Sequence, residues 1–256
     1  MAGIGVRLNK IFGRNTLTTN MIGFFYSTLV TVAPMFAIII NLVLMEYFLK
    51  FSTLGYAQRE LFSCTILYTF IFSLLTASPF NAVLSRYISD VIYEERYQDI
   101  LPCYHIGMML NIVLSCLVGI PFCLWEHFVG GVSVAYVFAG FWCYISLVFV
   151  FYSMIYLSIC KDYQRIAQYY IVGMLVAFFL SLFLRYICHW GITQSMLAAM
   201  DAGFFLTAVL ENALVKRYFR KNSNRYKPVL SYFKMYWQLV VTNFLYILGL
   251  YVHNFV

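Results

Sequence analysis

The sequence predicts an all-α transmembrane protein, a polytopic helical bundle, on three observations. Apolar residues make up 63% of the chain and charged residues only 11%, whereas a soluble domain is about half apolar and about a quarter charged. The charges are also bunched, leaving uncharged runs at 15–45, 61–85, 100–125, 127–160, 166–184 and 235–256, and a segment 186–215 broken only by Asp201 and Glu211. A hydrocarbon core of about 30 Å needs roughly 20 apolar residues in helical form, and these seven segments reach or approach that length. Finally, stretches such as LVLMEYFLKF and MLVAFFLSLFL do not alternate polar with apolar residues, as the strands of a closed barrel would.

Composition also sets aside several function classes. The N-terminal apolar run is too long for a secretory h-region, and no small-residue cleavage site follows it. The seven cysteines (64, 103, 116, 123, 143, 160 and 188) include no CxxC pair and read as small buried thiols. Histidines 105, 127, 189 and 253 do not fall at metal-ligand spacing. A membrane-embedded enzyme such as an acyltransferase would call for a GxSxG elbow, an HExxH helix or a His/Asp cluster, and none is present. The expectation is therefore no enzyme, no cofactor and no metal.

Taken in order, the first span carries Pro34, which removes a backbone hydrogen bond and bends the helix. The second carries Thr65, Thr69, Ser73 and Thr76 at i, i+4, i+8 and i+11, one hydroxyl stripe ending near Pro79 and Asn81. Such hydroxyls either bond their own or a neighbouring helix or face a cargo; Thr69, Ser73 and Thr76 are the candidates for the second role. The loop to the third span bears Arg86, Asp90, Glu94, Glu95, Arg96 and Asp99. If helix continues there, Arg86 and Asp90 stand at i and i+4, where opposite charges attract by a few tenths of a kcal/mol. They are the candidates for a cytoplasmic gate or docking site, against the simpler reading of a solvated turn. Pro121 bends the third span, and the fourth and fifth fall in the uncharged runs 127–160 and 166–184.

The sixth span has two faces. At 3.6 residues per turn, Gln194, Asp201 and Asn212 fall within about 20° of one another, with Glu211 about 80° round. The opposite side carries Ser195, Ala199 and Gly203, a small-residue ridge that lets another helix approach closely. An acidic residue deep in a span costs roughly 2.5–3.5 kcal/mol and normally faces a bundle interior or water. Asp201, Gln194, Asn212 and Glu211 are therefore read as a substrate pathway, with Asp201 facing a central cavity. Three roles stay open for Asp201: accepting hydrogen bonds from the hydroxyls and amides of a cargo, taking up a coupling proton, or pairing structurally with a base such as Arg185.

Basic residues orient the bundle. One face collects Arg7, Lys10, Arg14, Arg86, Arg96, Lys161, Arg165 and the seven basic residues of 216–234, which is 14 of 17, leaving Lys50, Arg59 and Arg185 opposite. This predicts a cytoplasmic N-terminus and explains the net charge of +7 without nucleic acid. The 216–234 segment fixes topology or meets anionic lipid headgroups, and as the most polar connection it is the candidate boundary. The seventh span starts at Met235 and reaches Val256 with no closing charge, which suggests a fragment or a half molecule.

Several stretches are familiar. MAGIGVRLNKIF at the start, PFNAVLSRYISDVIYEERYQDILP at 79–102 with its Arg86, Tyr87, Asp90 and Tyr93 core, MIYLSICKDYQRIAQYYIVGM at 154–174 and LGLYVHNFV at 248–256 together resemble the Pel exopolysaccharide transporter family (PelG-like proteins). That family is placed among the multidrug/oligosaccharidyl-lipid/polysaccharide flippases, which have about twelve spans in two six-helix lobes around a central cavity. The resemblance implies a first six-helix lobe at 1–215, a basic cytoplasmic linker at 216–234 and the start of a truncated second lobe at 235–256. It also implies export of Pel polysaccharide across the cytoplasmic membrane, beside a cytosolic glycosyltransferase and other Pel membrane subunits. A lipid-linked oligosaccharide or drug exporter of the same fold, and a non-transporting scaffold for the glycosyltransferase, are the alternatives.

Overall fold

The computed structural model describes residues 17–254 other than 161 and 221. The opening stretch with Arg7, Lys10 and Arg14, together with Lys161, Lys221 and the last two residues, lies outside the described residues.

Eight α-helices and no strand occur among the described residues: α1 (Leu17–Phe48), α2 (Tyr56–Tyr93), α3 (Ile100–Phe128), α4 (Val134–Ile159), α5 (Tyr163–Tyr186), α6 (Ile192–Tyr218), α7 (Lys227–Met235) and α8 (Trp237–Tyr251). Six are long and apolar enough to cross a membrane, and the pair α7–α8, bent by 68° at Tyr236, makes seven if counted as one span. The protein is a multi-pass membrane protein. Large apolar side chains point outward in helical stripes, for instance Met109, Val113, Leu117, Ile120 and Leu124 on α3. Water would penalise such a surface, and lipid does not.

The helices form a row, α1 on α5, α5 on α6, α6 on α4, α4 on α2 and α2 on α8, with α3 filling the angle between α2 and α4. The small ridge of α6 makes its seam with α5. A Cβ on Gly203 would lie 2.7 Å from the Gly173 carbonyl oxygen, and one on Gly173 2.6 Å from that of Gly203, so only glycine lets these backbones touch. Ser195 and Ala199 are fully buried along the same side.

Two boundaries differ from the charge-run reading. Helix α2 continues through Arg86 and Asp90 to Tyr93, making 38 residues or roughly 57 Å at 1.5 Å per residue, so it projects well past a 30 Å core. It stops where Glu95 turns left-handed (φ 58°) and Arg96 N–H reaches back to the Val91 carbonyl, a capping turn that ends helices by local geometry. The segment 216–234 is loop only in part: α6 runs to Tyr218, and a helix restarts at Lys227 with Pro228 in its first turn, where proline costs no hydrogen bond. The described parts of the loops on the basic face meet one another, with the Ser223 N–H donating to the Gln98 carbonyl. There Asp162 caps α5 through the Arg165 N–H, is ion-paired with the Arg165 side chain and accepts from the Tyr218 hydroxyl, while Asp99 accepts from Ser223.

Candidate functional site

Polar groups gather in three places. The first is the seam between α4 and α6. Ser146 and Ser153 stand seven residues apart on α4, two turns and so one face. Each meets one carboxyl of α6: Ser146 Oγ lies 3.0 Å from Asp201 Oδ1, and Ser153 Oγ lies 2.6 Å from Glu211 Oε2. Glu211 is fully buried and its Oε1 has no partner, whereas Asp201 is half-buried. Arg185 does not pair with Asp201; its guanidinium donates to the Trp190 carbonyl at 2.8 Å. Gln194 and Asn212 are half-buried, and the buried Asn212 Oδ1 has no partner. Asp201 and Glu211 thus each meet a serine on the same face of α4, through two separate hydrogen bonds.

The second place is a cleft of about 430 Å³ among α2, α3 and α4, at the end away from the basic loops. Its polar lining is Thr65, Thr69, Tyr68, Tyr136, Tyr144 and Glu126, and Phe72, Phe122 and Phe141 supply aromatic walls. Tyr136 donates to Thr65 Oγ1 and Tyr144 to Thr76 Oγ1, both at 3.2 Å. The stripe of α2 therefore divides. Thr69 lines the cleft, while Ser73 and Thr76 are buried and donate to the carbonyls of Phe70 and Phe72 at 2.8 Å. Aromatic faces interleaved with hydroxyls suit a sugar ring, whose C–H faces stack while its hydroxyls exchange hydrogen bonds. The four α6 residues are not part of this lining.

The third place is the projecting end of α2. Arg86 and Asp90 form no ion pair with each other. The Arg86 guanidinium sits 4.6 Å over the Tyr236 ring, and Asp90 accepts from the Tyr232 hydroxyl at 3.0 Å. Phe80 adds an edge-on contact with Phe233. These contacts hold the short helix α7, and with it the bend into α8, against α2.

The residues that complete these arrangements, Ser146, Ser153, Tyr136, Tyr144, Tyr232 and Tyr236, were not singled out from the sequence. A signal existed for two of them, since Ser146 and Ser153 repeat at heptad spacing in an otherwise apolar run. The tyrosines carried none, because 22 tyrosines are spread along the chain.

One family model, PelG, described as "Putative exopolysaccharide Exporter (EPS-E)", matches residues 1–256. No curated protein and no solved structure matches the chain. A six- to seven-span helical bundle with polar groups buried between its helices agrees with that assignment, and the chain belongs to the PelG family of exopolysaccharide exporters.

Proposed function

We propose that the chain works in the cytoplasmic membrane, N-terminus inward, as the component that passes Pel-type exopolysaccharide outward from a cytosolic glycosyltransferase and beside other Pel membrane subunits. The observation that carries this reading is the match to an exporter family along the whole chain, on a bundle with membrane-spanning helices. The lopsided basic residues support the orientation. In this reading Thr69 and the aromatic cleft receive sugar rings. Asp201, Glu211, Gln194 and Asn212, with Ser73 and Thr76 behind the cleft, supply the polar surfaces that an opening bundle exposes to polymer. Arg86 and Asp90 brace the inner end, where the glycosyltransferase docks.

The test is a strain lacking the chain, assayed for polymer outside the cell and for glycosyltransferase in the membrane. External polymer should be lost and return with the wild-type gene. If a glycosyltransferase tethered to an unrelated membrane anchor restores external polymer without the chain, the chain is a scaffold and the transport reading is wrong.

A further inference from the structure

The Ser153 hydroxyl beside Glu211 stands between two acceptors. Ser153 Oγ is 2.6 Å from Glu211 Oε2 and 2.7 Å from the carbonyl oxygen of Phe149, one turn back on its own helix. Both are full-strength O–H···O separations, yet a serine hydroxyl owns one proton. The Phe149 carbonyl can only accept, so Ser153 donates to it. A proton on Glu211, donated to Ser153 Oγ, satisfies both contacts at once, whereas a carboxylate leaves the one hydroxyl proton shared between two acceptors.

The Asp201 pair shows the contrast. Ser146 has no second acceptor among its hydrogen bonds, so its proton goes to Asp201 Oδ1 at 3.0 Å and nothing requires that carboxyl to be protonated.

The surroundings of Glu211 agree. The titratable groups facing it are Tyr104 of α3 and Tyr170 of α5. Behind Tyr104 stand Tyr152 and Tyr156 of α4 and Cys103 of α3, joined by hydrogen bonds of 2.9 Å between the two phenols and 3.6 Å to the thiol. On α6 itself Lys216 is exposed at the end of the helix. Among the described residues no lysine, arginine or histidine makes an ion pair with Glu211. A fully buried carboxylate with no cation is strongly disfavoured, and a neutral acid is not. The unpartnered Oε1 is a free acceptor for a water once the helices part.

We propose that Glu211 is a proton-binding site of the transporter, loaded while the α4–α6 seam is closed, as here, and emptied to water when it opens. On release the carboxyl O–H bond breaks, its electron pair stays on the carboxylate and the proton leaves on water. A carboxylate cannot return to the closed seam without taking up a proton, so closing consumes one and opening frees one. Coupling this to polymer movement rests on the transport reading; the proton site does not.

The test is infrared difference spectroscopy of the purified full chain in lipid, following the C=O stretch of protonated carboxyl groups. Wild type should show this band at pH 7 and lose it reversibly in alkali at constant helix content. Glu211→Gln, which keeps the shape and an N–H donor for Ser153, should abolish it, and Asp201→Asn should leave it. Absence of the band from wild type at pH 7, its survival in Glu211→Gln, or its persistence at every pH up to unfolding would each overturn the proposal. A chain that transports nothing would still show the band, so the two readings fail separately.

Discussion

Replacing Gly203 with alanine puts one methyl group into the tightest place between α5 and α6. That carbon would stand 2.7 Å from the Gly173 carbonyl oxygen and 2.8 Å from Ala177 Cβ, where carbon contacts settle at about 3.5–4.0 Å. The helices must separate locally by several tenths of an ångström, and overpacking of this kind costs about 1–3 kcal/mol. Alanine is also the better helix former, by about 1 kcal/mol, which would mask part of the loss. Gly249 in α8 supplies the correction, since a Cβ there meets nothing within 4 Å and Gly249→Ala reports propensity alone. The difference between the two variants should be about 1–3 kcal/mol against Gly203→Ala. Unfolding midpoints in mixed detergent micelles measure it. Equal midpoints for the two alanine variants would refute the backbone-to-backbone contact and the role assigned to the small-residue ridge.

Three further outcomes follow from the same geometry. Asp90→Asn and Arg86→Ala should each loosen α7 from α2, costing about 0.5–1.5 kcal/mol for the hydrogen bond and about 0.5–1 kcal/mol for the cation–π contact; if export and membrane levels are intact in both variants, the bracing role at the inner end is wrong. With the accessible native cysteines removed, a cysteine at Gly130 should react with an impermeant thiol reagent in intact cells and one at Asn222 should not, and the reverse pattern would invert the proposed orientation. Burial, reinforced by the negative charge of Asp162, pushes the Cys160 thiol up to about 11, so its thiolate is scarce at neutral pH. In a variant keeping Cys160 alone, labelling should accelerate with each step in pH until about 11, and a plateau below pH 9 would contradict its half-buried placement beside Asp162.

The spans were legible because lipid imposes a composition that runs of uncharged residues report directly. Their ends were less so. A charge-free run marks the edge of the lipid, not the end of the helix, and α2 continues past Arg86 to Tyr93 because its stop is the left-handed turn at Glu95. The break at Tyr236 was missed for a related reason: α7 is too polar to count as span, yet Pro228 in its first turn already marked a helix start. On α6 the wheel identified the packing ridge correctly, because close approach needs small side chains whichever helix arrives. It could not show that Asp201 and Glu211 both face α4, since that rests on the spacing of two serines on another helix. Partners across helices are set by packing, and one helix read alone does not contain them.

In the proposed function this chain carries exopolysaccharide through the membrane. Inverted vesicles from cells making the polymer, supplied with the labelled nucleotide sugar, test it most directly. Labelled polymer should appear inside the vesicles, protected from added glycosidase until detergent is added, only when the chain is present. Polymer that stays fully digestible with the chain, or is protected equally without it, would exclude transport by this chain.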